Sequence, residues 1–264
     1  MLIRSVSVAL LAVASMCAQA AAVVPSYGNF GNLAGATFGG TGIPTDPTAI
    51  RTFTHNYGSD ASGAALTSVI TLGLTAHQRF FNPPLTNDGA GTFGATPGEN
   101  NGLPPSTSTG IYATWNFAFY INSSSGSLAQ MMGGAHPLTF ELLYDTDPTA
   151  GNDSSTYGVL RFNVLAALLG QASTAQNSWN LDMDFLNDVD LTGFVSAPAV
   201  GFDPDAIGEY GFVLRTTDET NAVQQSAILV NVGTPGTNVP EPGTLALVGL
   251  ALAGMGAMRG RRKA

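Results

Sequence analysis

Two stretches of acids hold the residues of this chain best able to do chemistry. DTDPTAGND offers Asp145, Asp147 and Asp153, and LDMDFLNDVD offers Asp182, Asp184, Asp188 and Asp190. Carboxylates spaced by two within one turn can converge on a hard cation such as calcium, helped by backbone carbonyls. Asp145, Asp147 and Asp153 are thus the candidate metal ligands, and calcium is the one cofactor that the sequence raises. The first stretch departs from an EF-hand loop, with Ala150 where the turn needs glycine and Thr156 where the bidentate glutamate belongs. Asp-Pro and Gly-Asn pairs are also plain turn formers, so a solvated loop accounts for the same residues.

Glycoside hydrolysis would need two carboxyls facing each other across a cleft, one with a raised pKa. Glu141, with apolar neighbours in LTFELLYD, suits that task better than an aspartate in a wet turn, but the sequence places no partner for it. Other catalytic constellations are missing. The histidines His55, His77 and His136 lie far apart and outside any H-E-x-x-H spacing, there is no G-x-S-x-G elbow, and no glycine-rich stretch continues into a phosphate-loop lysine. No catalytic residue is assigned. A non-enzymatic role leads, with a secreted glycan-active hydrolase as the alternative.

The two ends set which residues belong to the working protein. MLIRSVSVALLAVASMCAQAAA has Arg4, an apolar run from Val6 to Met16, and a small-residue A-x-A cluster at Ala18, Gln19 and Ala20. That is the layout of a secretory signal peptide over residues 1–20, cut by signal peptidase after Ala20. The one cysteine, Cys17, falls inside it, so the exported chain has no disulfide, no thiol chemistry and no cysteine-bound zinc. At the other end, 16 residues from Gly243 to Met258 carry no charge and are followed by Arg259, Arg261, Arg262 and Lys263. As a helix this run spans roughly 24 Å, short of the ~30 Å hydrocarbon core but tolerable with bilayer thinning. The basic residues hold it with the exported domain outside, as a stop-transfer tail inserted in the membrane. A permanent anchor is the plain alternative.

With both ends set aside, four arginines (Arg51, Arg79, Arg161, Arg215) face 17 acids, a net of −13 against −9 for the whole chain. Nucleic-acid binding needs a basic face, and none can be built from four cations.

The candidate carboxylates must be positioned by residues 21–238, long enough to close one sizeable core. Residues 23–64, rich in glycine, threonine and proline, predict short strands and loops, and residues 81–109 one long loop. AALTSVITLGLTA reads as a strand. In IYATWNFAFYIN a period of two puts Trp115, Phe117, Phe119 and Ile121 on the core side of a sheet, the functional alternative being a surface row that stacks on sugars. LTFELLYD is a further strand, and VLRFNVLAALLG reads as strand VLRFNV followed by one or two helical turns. WNLDMDF reads as a half-buried strand with Trp179, Leu181, Met183 and Phe185 opposite Asn180, Asp182 and Asp184. GEYGFVLRTTDETNAVQQSAILVNV is a hairpin around TTDETN. The fold class is all-β, a β-sandwich or jelly roll. In DPDAIGEYGFVL the position of Tyr210 resembles a tyrosine corner, whose hydroxyl bonds back upstream as in an immunoglobulin-like variant, with an ordinary half-buried strand tyrosine as the equal alternative.

The order Pro240, Glu241, Pro242, apolar run, arginines resembles the PEP-CTERM sorting signal of Gram-negative bacteria, here over residues 239–264. The resemblance implies recognition by a membrane exosortase near Pro240 to Pro242, loss of the tail, and display at the cell surface or in the matrix. It also implies association with exopolysaccharide and biofilm; the paired sorting signals, the acidic lysine-free surface and the missing catalytic constellation together make polysaccharide binding at the surface or in the matrix the expected role. The same C-terminal region occurs on some ice-binding proteins, but that label describes the tail, and ice binding is not inferred from it. NSWNLDMDFL and FDPDAIGEYGFVL are similar to the bodies of other PEP-CTERM proteins and bring no activity with them.

Overall fold

The computed structural model describes residues 22–79, 82–100, 112–187 and 193–233. Twelve strands follow one another among these residues: β1 (Asn29–Gly31), β2 (Thr48–Ser59), β3 (Ala65–Gln78), β4 (Thr86–Asn87), β5 (Thr92–Ala95), β6 (Trp115–Ser123), β7 (Thr139–Tyr144), β8 (Gly158–Arg161), β9 (Thr174–Trp179), β10 (Val195–Ser196), β11 (Gly208–Thr217) and β12 (Val223–Val232). Three short helices interrupt them: α1 (Leu128–Gly133), α2 (Ala166–Leu169) and α3 (Asp184–Asn187). The strands form two facing sheets, ordered β1-β2-β3-β6-β9 and β10-β8-β7-β11-β12-β5-β4. This is the all-β sandwich that the alternating pattern predicts. The signal peptide and the sorting tail lie outside the described residues, among which no helix is long and apolar enough to cross a membrane.

Alternation places the core. On β6, Trp115, Phe117, Phe119 and Ile121 point inward and are buried, which settles the choice between core and sugar-stacking row. They meet Phe140, Leu142 and Tyr144 of β7, Tyr210, Phe212 and Leu214 of β11, and Ile228, Val230 and Val232 of β12 in one continuous core. Phe117 stacks on Phe212 with ring centroids 4.8 Å apart, and Trp115 presents its edge to Phe212 at 6.0 Å. Each such buried side chain contributes about 1.5–3 kcal/mol relative to exposure. The Tyr210 hydroxyl donates to the Ala206 carbonyl at 3.3 Å, bonding back upstream as in a tyrosine corner.

The outer face of the first sheet is also covered. Ala118 and Tyr120 alternate with the core residues, yet they are buried too, beneath Leu33, Ala36 and Phe38. That cover is clamped at one point, where the backbone N–H groups of Thr37 and Phe38 both donate to Oε1 of Gln176, at 2.8 and 2.7 Å. On the outside of the second sheet Leu143, Tyr157, Val213 and Ala227 form a smaller cluster against Val23, and Ser26 exchanges two backbone hydrogen bonds with Ala227.

Four sequence expectations change. Residues 23–64 contain a 12-residue strand, β2, in which Arg51, Phe53, His55 and Tyr57 alternate with exposed residues. Residues 81–109 are not loop throughout, because β4 and β5 lie there and β5 pairs in parallel with β12. The strand expected in WNLDMDF ends at Trp179 and instead precedes it as TAQNSW. Asn180 stops it: its amide donates to the Ala113 and Trp115 carbonyls, and its Oδ1 accepts from Asp182 N–H, turning the chain. Likewise VLRFNV stops pairing at Arg161 and becomes a 3-10 turn, Phe162–Leu165. Here the Asn163 side chain takes the place of a ladder, accepting from Phe140 N–H and donating to the Leu138 carbonyl.

Gln176→Ala, which removes both clamping hydrogen bonds, should cost about 1–3 kcal/mol in denaturant unfolding. Phe38→Ala, which empties a fully buried site, should cost about 3–5 kcal/mol. A Gln176→Ala variant as stable as wild type would remove the clamp from this account.

Candidate functional site

Strand polarity sorts the polar residues to two ends. Trp115 at the head of β6 touches Tyr210 at the head of β11, with centroids 5.9 Å apart, so both sheets share this end. Strands β7 and β9 finish there and deliver Asp145 and Asp182, while Asp203 and Asp205 arrive on the chain entering β11. One end of the sandwich is therefore acidic.

The three candidate calcium ligands have three different surroundings. Asp145 is buried, with 3% exposure. It accepts from Asp147 N–H at 3.0 Å and from the Tyr157 hydroxyl, and burial pushes its carboxyl up to about 6. Burial also pushes the Tyr157 phenol up, aided by the Asp145 charge. Asp147 is held below the usual carboxylate range by hydrogen bonds from Thr149, and Asp153 by hydrogen bonds from Ser155. Each carboxylate serves its own turn. Among the described residues no three His, Cys, Asp or Glu side chains gather as a metal centre would require.

Asp182 accepts from Ala113 N–H at 2.6 Å. Burial pushes it up to about 6, with the Glu99 and Asp203 charges acting the same way and Arg79 opposing them. The Arg79 guanidinium lies 4.0 Å from the centroid of the Tyr112 ring. Asp184 opens α3, and Asp188 and Asp190 lie outside the described residues.

Glu141 sits on the outer face of the second sheet in a row across three strands. Register places Arg161 of β8 and Arg215 of β11 directly beside it. Arg215 donates to its Oε2 through Nε at 2.9 Å and Nη2 at 2.7 Å, and Arg161 Nε lies 3.7 Å from Oε1. The residue best suited by sequence to acid catalysis is thus engaged by two guanidinium groups.

The opposite end carries a cleft of about 480 Å³ between the β2–β3 turn and α1. Tyr57, Leu66, Ser127, Gln130, Gly133 and Gln171 are among its lining residues, none of which is charged. No catalytic or ligand motif in the sequence marks this site. A local signal was present in SLAQ, a capping box in which Gln130 N–H donates to the Ser127 hydroxyl and Ser127 N–H donates to Gln130 Oε1. Two glycines let the walls meet. A Cβ on Gly134 would stand 2.6 Å from the Tyr57 carbonyl oxygen, and one on Gly126, which has φ +76, would crowd Gln130 and the Tyr57 ring.

The processing residues Ala18, Ala20, Pro240, Glu241, Pro242, Arg259, Arg261 and Arg262 all lie outside the described residues. The PEP-CTERM protein-sorting motif family matches residues 238–263. No curated protein and no solved structure matches the chain.

The buried Asp145 predicts a pH dependence of unusual sign. Its carboxyl titrates near 3.8 when unfolded and about 6 when folded, so folding takes up a proton between those values. The resulting stability is present at low pH and lost as pH rises through about 6. Asp145→Asn removes this contribution. The melting temperature of wild type minus that of the variant should therefore grow as pH falls from about 7.5 to about 5, and a difference independent of pH would refute the assignment.

Proposed function

We propose that this PEP-CTERM protein, an exported chain sorted by an exosortase, is a non-enzymatic domain that binds polysaccharide at the cell surface or in the extracellular matrix. The observation that carries the reading is the engagement of Glu141 by Arg161 and Arg215, set against a cleft whose lining has no charge. A hydrolase reading needs two carboxyls across a cleft. Glu141 is instead paired on a sheet face and the raised acids Asp145 and Asp182 are held by backbone N–H groups at the far end, while the uncharged cleft offers amide and hydroxyl groups of the kind that hold sugars without cleaving them.

The partners are signal peptidase at Ala20, the exosortase at Pro240, Glu241 and Pro242, and a matrix exopolysaccharide. The motif at 238–263 supports export and a membrane-held precursor. A surface dominated by carboxylates suits a domain meant to stay soluble outside the cell once the basic tail is lost.

Replacing Pro240, Glu241 and Pro242 by alanine should leave an uncleaved precursor in the membrane fraction, read by mass spectrometry of the mature termini. Normal release would contradict the sorting assignment. Protein released from cells should retain the producing strain's matrix polysaccharide in a pull-down, with Glu141→Gln changing neither retention nor polysaccharide chain length. Shortening of the polysaccharide by wild type, lost in Glu141→Gln, would establish the hydrolase instead.

A further inference from the structure

We infer that the cleft between β2 and α1 is a subsite for one uncharged sugar unit of that polysaccharide, with Tyr57 as the platform and the Gln130 and Gln171 amides as the hydrogen-bonding groups. This inference rests on the polysaccharide-binding reading above and gives it a location.

A pyranose ring has an apolar C–H face and a rim of hydroxyls, so a site that fits it pairs an aromatic surface with neutral donors and acceptors. The lining has this composition: Tyr57 and Leu66 supply apolar surface, and Ser127, Gln130 and Gln171 supply polar groups. The volume of about 480 Å³ falls within the ~300–1,000 Å³ range of small-ligand sites. Tyrosine suits the platform role because it offers a rigid ring with a polar tip.

The site is also built in advance. Tyr57 packs against the main core, so its position is fixed by the sandwich. Gln130 Oε1 is held by Ser127 N–H, which orients the amide and leaves its Nε2 hydrogens for an outside acceptor. Gly134 allows the end of α1 to close on the Tyr57 backbone. Preorganisation of this kind lowers the entropy lost when a ligand binds.

Charge selects the sugar class. No ionised side chain lines the cleft, and the exported domain carries 17 acids against four arginines. A uronate or phosphate unit would find no cation in the cleft and a repulsive field around it, and an amino sugar would find no carboxylate there. A neutral hexose meets neither difficulty.

Strand β12 starts at Val223 beside the cleft end and finishes at Val232, one residue before Gly233, on the acidic end. Ten residues of strand put the last described residue, Gly233, roughly 34 Å from the start of β12, so the cleft lies at the end of the domain away from its C-terminal exit.

The test uses the released protein and two probes prepared by partial hydrolysis of the producing strain's matrix polysaccharide, a neutral oligosaccharide fraction and a uronate-bearing fraction. In NMR titrations the neutral fraction should shift the Tyr57 ring and the Gln130 and Gln171 side-chain amides. The uronate fraction should bind at least about 10-fold more weakly. Tyr57→Ala should weaken neutral binding by about 10-fold or more, while Tyr57→Phe, which keeps the platform, should stay within about 3-fold. Gly133→Trp supplies a variant with little risk to folding, since a Cβ there meets nothing within 4 Å, and it should block the cleft at an unchanged melting temperature. Wild-type binding that survives both Tyr57→Ala and Gly133→Trp would move the sugar elsewhere, overturning the subsite while leaving polysaccharide binding intact. Failure of the wild type to bind either fraction, or the intact polysaccharide, would overturn the subsite and the reading beneath it together.

Discussion

The contact between Phe117 and Phe212, stacked at 4.8 Å, is the constraint on which the rest of this structure depends. It joins the two sheets at strands with partners on both sides, β6 between β3 and β9, and β11 between β7 and β12. Trp115 and Tyr210 continue the seam at its head, with Phe202 packed against both rings. Once these rings face each other, the heads of β6 and β11 must lie at the same end of the sandwich. The acidic loops then collect at that end, and the β2–β3 turn, α1 and the β11–β12 turn collect at the other. Functional geography follows from packing that has no functional content of its own.

Much of this seam was legible in the sequence. Strands with one face in a core alternate with period two, and Trp115, Phe117, Phe119 and Ile121 carry that signal, as do Tyr210, Phe212 and Leu214. The β11–β12 hairpin was legible for a second, local reason. The Asp218 carboxylate accepts from Thr220 and Ala222 N–H groups, a turn chemistry written within five residues. What the sequence hid depends on partners distant along the chain. Glycine-rich residues 33–43 cover a sheet face because Gln176, more than 130 residues away, holds Thr37 and Phe38. Two asparagines, Asn163 and Asn180, end strands early by using their side chains where a ladder would run. A periodicity argument sees apolar residues continuing past both and extends the strand.

The acids illustrate why residue type and spacing alone did not locate the site. Asp145, Asp147 and Asp153 look alike in sequence, yet burial raises the first while hydrogen bonds from local turns lower the other two. Glu141 looked promising because its neighbours were apolar. Those neighbours fill the core and the outer cluster, while Glu141 itself lies in line with Arg161 and Arg215. The cleft escaped notice for the opposite reason. Tyrosine, serine and glutamine at positions 57, 127, 130 and 171 carry no catalytic signature, and three separate elements had to be folded before they stood together.

The four arginines of the exported region draw these points into one argument. Arg51 donates twice to Gln224 Oε1, bridging the two sheets. Arg79 covers the Tyr112 ring near Asp182, and Arg161 and Arg215 flank Glu141. Every arginine among the described residues is thus committed to a contact within the domain. The 17 acids of the same region outnumber these four cations, so the field outside the protein is set by carboxylates. Such a field gives no coulombic attraction to an anionic polymer, so the polysaccharide binding proposed above would rest on shape and neutral hydrogen-bonding groups. The place where the structure gathers those groups is the uncharged cleft, a strand's length from the loops where most of the repulsion originates.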